Sequence, residues 1–197
     1  MASVTARIAT GIAALAAAAF LGACDSSSSG DQHAGHGGTT VTQAADHNVD
    51  DVTFARNMVP HHEQSVEMSQ MVPTNTANPR VIALANQIIS EQTPQIHAFN
   101  AWLMQWDQGS GEGHDGRGAT GMTGMVDPTT MGKLKSLRGP EFDHLWLQSM
   151  ITHHRGAVSM AQDVIAHGQN PDVIDMAKSI TSSQQAEIDK MNQMLGG

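Results

Sequence analysis

From about residue 51 onward, apolar residues recur every three or four positions, the spacing of a helix with one buried face. Val81, Ala85, Ile88, Ile96, Phe99 and Leu103 form one such stripe. Val173, Ala177, Ile180, Ile188, Met191 and Leu195 form another. The stripes are copies. Shifting the chain by 92 residues lays Met58-Val59-Pro60-His61-His62 over Met150-Ile151-Thr152-His153-His154, and 18 of the 46 aligned positions are identical without a gap. An ungapped match of that density is an internal repeat.

Each copy reads as two helices. The spacing predicts the first over about 51–71 and about 140–166. The second starts at Asn78-Pro79 and again at Asn170-Pro171, where Asn caps the free N–H groups and Pro loses nothing at the first helical position. Two αα-hairpins with one apolar stripe each predict an all-α four-helix bundle. Copy one covers about 51–106 and copy two about 140–197, within a folded domain of 49–197. Pro60 and Pro94 fall inside helices of copy one only, so kinks are expected there. Residues 107–139 join the copies, are rich in Gly, and show no clear helix signal before about Thr129. Trp102, Trp106 and Trp146 are expected at the bundle ends.

Upstream of the repeat, Arg7 precedes an Ala-rich apolar run from Ile8 to Leu21, too short for a comfortable membrane span, so residues 1–23 read as an export signal. The run ends in Leu21-Gly22-Ala23-Cys24, which resembles a bacterial lipobox and makes Cys24, the only cysteine, the expected lipid-bearing residue. The mature protein is then expected to be anchored to the outer face of the cytoplasmic membrane or to the cell envelope. Residues 24–48, mostly Ser, Gly, His and Asp, are expected to be a flexible tether. Its His33, His36 and His47 are weak metal donors or simply solvated.

With 10 Lys and Arg against 19 Asp and Glu, the formal charge is -9, a poor match for nucleic acid. Met (13) and His (11) are in excess. Met58, His61, His62 and Met68 share one helix face, as do Met150, His153, His154 and Met160. If the repeats pack about a twofold axis, four imidazoles and four thioethers converge inside the bundle. Thioether sulfur is soft and selects Cu(I), while imidazole accepts Cu(I) or Cu(II). Taken alone, Met68 and Met160 are better read as core packing. Gln92 and Gln184 interrupt both stripes and are candidates to hydrogen-bond the ligand rings, or to form a buried network unrelated to metal. His114, Met122 and Met125 in the joining segment are a secondary candidate site, and His97, His144 and His167 have no repeat counterpart.

Phe54-x3-Met58-x2-His61-His62-x5-Met68 and Phe142-x7-Met150-x2-His153-His154-x5-Met160 resemble the paired signatures of the bacterial domain of unknown function 305 family, over roughly residues 50–195. The resemblance implies a ferritin-like four-helix architecture, an exported location and, for some members, copper binding and tolerance. It implies Met58, His61, His62, Met150, His153 and His154 as ligands, with Met68 and Met160 secondary. Copy two continues Arg155-Gly156-Ala157 in the family's manner, whereas copy one has Glu63-Gln64-Ser65, so the halves need not bind alike.

The leading expectation is an exported lipoprotein that buffers copper without breaking bonds, with affinity falling below about pH 6.5 as the imidazoles take up protons. A metal-dependent redox enzyme acting on Cu(I) is the second reading, and a metal-free scaffold, partner-binding module or oligomer the third. Di-iron chemistry needs bridging carboxylates on several helices, and Glu67 and Glu91 align with Ser159 and Ser183.

Overall fold

Three of the four predicted helices start where a side chain satisfies free N–H groups, and the one that begins at Gly139 does not. In the computed structural model, which describes residues 46–110 and 122–196, α1 spans Val49–Gln70 and α2 is a single turn, Val72–Asn75. The long α3 covers Pro79–Ser110, α4 Pro128–Ser136, α5 Gly139–His167 and α6 Pro171–Gly196. The Asn78 carboxamide accepts from Arg80 N at 3.1 Å, and that of Asn170 accepts from Asp172 N at 3.0 Å, as the Asn-Pro pairs imply. Asp127 opens α4 in the same way, accepting from Thr129 and Thr130 N–H, and these bonds with the Thr130 hydroxyl hold its carboxyl below the usual range. The helices α1 and α3 continue through Pro60 and Pro94, each proline costing one helical hydrogen bond without ending its helix.

The interior divides into two apolar clusters. One gathers Met68, Leu84, Ile88, Trp146 and Met150. The other gathers Phe54, Met58, Phe99, Ala161 and Ile180. Their membership fixes the helix directions. Both α1 and α6 run from the second cluster to the first, while α3 and α5 run the opposite way. Because α3 and α5 are parallel, the connection between them must return along the bundle, the one long crossover of a ferritin-like arrangement. Trp146 is fully buried in the first cluster, its indole N–H donating to Met68 O at 3.1 Å, rather than capping a bundle end. Trp102 and Trp106 do sit towards the end of α3, where Trp106 stacks on His47 with centroids 4.6 Å apart.

A pair of acidic residues 92 positions apart ties each hairpin to the other's turn. Asp51 is wholly buried and its carboxylate accepts from the backbone N–H of Asn48, Gln169 and Asn170 at 2.9–3.0 Å. It thereby completes the capping box of α1 and holds the α5–α6 turn. Asp143 does the reciprocal task more weakly, accepting from Asn78 Nδ2 at 2.8 Å before α3. Asp51→Ala should therefore destabilise the protein by about 2–4 kcal/mol, because it strands buried N–H groups, and Asp143→Ala by about 1 kcal/mol. Urea denaturation of the two variants compares these costs directly.

Candidate metal centre

The two clusters are separated by a polar layer. The antiparallel packing of α1 and α5 lays the ring of His61 against that of His153, centroids 3.7 Å apart and inclined at 34°. His62 and His154 sit 6.5 and 6.4 Å from those neighbours and reach instead to the second helix of their own hairpin. None of the four rings exposes more than 1% of its surface.

Three of the rings are held through Nε2 by an oxygen. His62 meets Gln95 Oε1 at 2.8 Å, His154 meets Glu187 Oε2 at 2.9 Å, and His61 meets the Thr123 carbonyl at 3.3 Å. Each oxygen accepts, so in the neutral ring Nε2 carries the proton and Nδ1 the lone pair. All four Nδ1 atoms, and Nε2 of His153 as well, are buried without a hydrogen-bond partner. Burial pushes the His61 ring down from 6.5 to about 4, against the raising effect of the Thr123 bond. Burial, reinforced by His61, pushes His62 down to about 3, and burial together with the neighbouring rings holds His153 well below its ordinary value. These three imidazoles are therefore neutral, with buried lone pairs that no protein donor satisfies.

The sequence face of His and Met is real, but its methionines divide. Three residues before the paired histidines, Met58 lies in one apolar cluster and Met150 in the other, because α1 and α5 run in opposite directions. Met68 is buried beyond Met150, and Met160 is half-buried in a groove with Phe54 and Asn57. The four thioethers thus flank the ring layer on two sides instead of converging with it. The Met150 sulfur accepts from the Ser65 hydroxyl at 3.4 Å, whereas the repeat counterpart of Ser65 is Ala157.

Gln92 and Gln184 are buried as expected, but no hydrogen bond joins them to the rings and both amides lack partners. Gln95 and Glu187 hold the rings instead, one turn further along α3 and α6. They are repeat counterparts, each 33 residues after its histidine, a signal hidden because the two residues differ in type.

The joining segment explains where the repeat breaks. Gln64 on α1 grips Val126, its amide donating to the carbonyl at 2.9 Å and accepting from the N–H at 2.8 Å. The counterpart of Gln64 is Gly156 on α5, where a Cβ would come within 1.9 Å of the Thr123 carbonyl oxygen. Facing it, Gly124 has φ +89°, a left-handed conformation suited to glycine. One strap crosses both helices, so one half clamps it and the other makes room for it. Met122 and Met125 lie half-buried in this strap, linked by a turn of 3.4 Å from Met125 N to Met122 O, while His114 lies outside the described residues. The tether positions His33 and His36, and Cys24, lie outside them as well. His97, His144 and His167 are exposed.

Among the described residues, no three His, Cys, Asp or Glu side chains are already gathered around a single point. Asp51 and Glu187 are the buried acidic side chains, and Asp51 is committed to the α5–α6 turn. The chain's Glu-x-x-His spacing, Glu141 to His144, is exposed, so a carboxylate-bridged pair of iron ions has no support here. Orphaned imidazole nitrogens flanked by thioethers suit a soft or borderline ion.

The chain matches the family model described as "Domain of unknown function (DUF305)" over residues 51–195. It is similar to the crystal structure of a DUF305 protein from Streptomyces coelicolor described as secreted, with 33% identity and a TM-score of 0.68 over 75% of this chain and 91% of that one. A DUF305 fragment from Deinococcus radiodurans gives 29% identity and a TM-score of 0.66 over 76% and 97%. CopM in its Cu(I)-bound form gives 28% identity and a TM-score of 0.60 over 73% and 94%, and CopM has also been solved with Cu(II) and with silver. A protein of Acanthamoeba polyphaga mimivirus, L153, is 34% identical over 55 residues, so the chain spans only 36% of that protein's length.

Acid should destabilise the metal-free protein. Below pH 6.5 the unfolded chain protonates His61, His62 and His153, while the folded chain does not until about pH 4 for His61 and about pH 3 for His62. Their neutral burial thus favours the fold fully above pH 6.5, and that advantage is lost as pH falls through this window, by up to about 1.4 kcal/mol per pH unit for each ring. Denaturation curves of the metal-free protein between pH 7 and 4.5 measure this, and a flat profile would mean that the rings are solvated.

Proposed function

The chain belongs to the DUF305 family, and from that premise we propose that it binds copper in the layer between the two apolar clusters. The observation that carries this reading is the set of buried imidazole nitrogens without partners, Nδ1 of His61, His62, His153 and His154 and Nε2 of His153. A buried polar atom left unpaired is costly, and a bound cation or a small ring movement towards one removes that cost. Likeness to CopM, solved with Cu(I), Cu(II) and silver, supports the same choice of ion.

Met58 and Met150 add a soft donor on each side of the rings, which favours Cu(I), with Cu(II) as the alternative. Met68 and Met160 stand a further turn or more away and contribute mainly packing. Met122 and Met125 in the strap, with His114, are a secondary site. The role is binding and release of copper for buffering or tolerance, outside the cytoplasmic membrane. Likeness to a secreted Streptomyces coelicolor protein supports that location, where residues 1–23 would serve as the export signal and Cys24 would carry a lipid anchor. No helix among the described residues is long and apolar enough to cross a membrane.

The depressed ring values revise the expected pH dependence. Burial keeps the His61 and His62 lone pairs free of protons to about pH 4 and about pH 3, so these two rings should not weaken binding between pH 7 and about pH 5. Competition for Cu(I) against a chromogenic chelator tests the site. His61/His62/His153/His154→Ala should abolish tight binding. Met58→Leu/Met150→Leu, which conserves volume and fold, should weaken Cu(I) at least tenfold. Wild-type affinity in both variants would refute the reading.

A further inference from the structure

The repeat makes the ring layer nearly symmetrical, and one substitution breaks its charge. Gln95 and Glu187 occupy the same place in their hairpins and hold the same nitrogen of His62 and His154, at 2.8 and 2.9 Å. One is an amide and the other a carboxylate. Glu187 is 2% exposed, its Oε1 is buried without a partner, and among the described residues it pairs with no Lys or Arg. Its ion-pair partner among the described residues is the His154 ring itself, at 2.9 Å. An acidic group in such a place is stabilised by a cation on the far side of the ring it holds, and His154 Nδ1 is buried without a hydrogen-bond partner.

We propose that Glu187 is a specificity-determining residue, which raises the affinity for Cu(II) relative to Cu(I) in the half of the layer formed by Met150, His153 and His154, compared with the half formed by Met58, His61 and His62, where the amide of Gln95 stands in its place. The inference rests on copper binding in the layer. Coulomb attraction to a fixed buried charge scales with the ion's charge, so Glu187 favours Cu(II) over Cu(I) at His154, whereas a neutral amide makes no such distinction. Glu187 acts through His154, as a positioning residue and a charge, and need not touch the ion. The departure between the copies at Gln64 and Gly156 serves the strap, whereas the departure at Gln95 and Glu187 puts a carboxyl on His154 where the other copy has an amide on His62.

Two isosteric exchanges test this. Glu187→Gln keeps an acceptor oxygen for His154 and removes the charge, and Gln95→Glu adds one to the other half. In Glu187→Gln, Cu(II) affinity should fall at least tenfold further than Cu(I) affinity, raising the reduction potential of the bound ion by about 59 mV per tenfold difference. Gln95→Glu should shift the ratio the opposite way. Without metal, Glu187→Gln should melt close to wild type, because it keeps an acceptor oxygen for His154, and Gln95→Glu should melt lower and recover with Cu(II). Equal loss of both ions in Glu187→Gln together with a lowered metal-free melting point would show a purely structural residue and overturn the proposal. An unchanged Cu(II) to Cu(I) ratio in both variants would overturn it while leaving copper binding intact. A wild-type protein that binds neither ion would refute the copper reading itself, and this inference with it.

Discussion

Four imidazoles buried in the middle of a helical bundle are the constraint around which the rest of the molecule is arranged. Apolar side chains at those positions would join the two clusters into one continuous core and stabilise it. The chain instead interrupts its core with rings whose Nδ1 atoms have no partner, and fixes three of them by an oxygen on the opposite edge. That arrangement leaves buried lone pairs without partners, at a cost in stability. The cost is borne by what lies at either end: Trp146, Phe142 and Leu84 on one side, Phe54, Phe99 and Ile180 on the other, and the buried Asp51 that locks one hairpin's turn to the other's first helix.

Duplication supplies the symmetry and the single crossover removes it. Two copies of one hairpin bring His61 and His153 face to face across an approximate twofold axis. A two-copy chain has only one joining segment, however, and its described strap lies over one side of the pair. It supplies an acceptor for His61 and none for His153, grips Gln64, and needs glycine at 156. The sequence differences between the copies are thus largely the imprint of that strap. The exchange of Gln95 for Glu187 stands apart from it and puts a carboxyl on one ring where the other has an amide.

Much of the fold was legible because its signals are local. The helical spacing, the Asn-Pro starts of α3 and α6 and the all-α class follow from neighbouring residues. The start of α1 at Val49 rather than 51 depends on Asn48, whose capping box with Asp51 went unread. The site was legible as a donor set and less so as a geometry. Paired histidines on one helix face point inward for the same reason that Val or Ile would. Which oxygen each ring meets depends on register between helices, so Gln92 and Gln184 were plausible partners while Gln95 and Glu187 form the bonds. The division of the methionines followed from helix direction, which spacing along a single helix does not encode.

On the proposed reading, an ion held by these rings would have imidazole nitrogen as its nearest neighbours and thioether sulfur from Met58 or Met150 beside them. X-ray absorption at the copper edge of the Cu(I)-loaded protein tests that claim most directly. A first shell of mixed nitrogen and sulfur, which becomes nitrogen alone in Met58→Leu/Met150→Leu and disappears when the four histidines are replaced, is the predicted result. A shell of sulfur only, or one that persists unchanged without the histidines, would place the ion elsewhere and contradict the account.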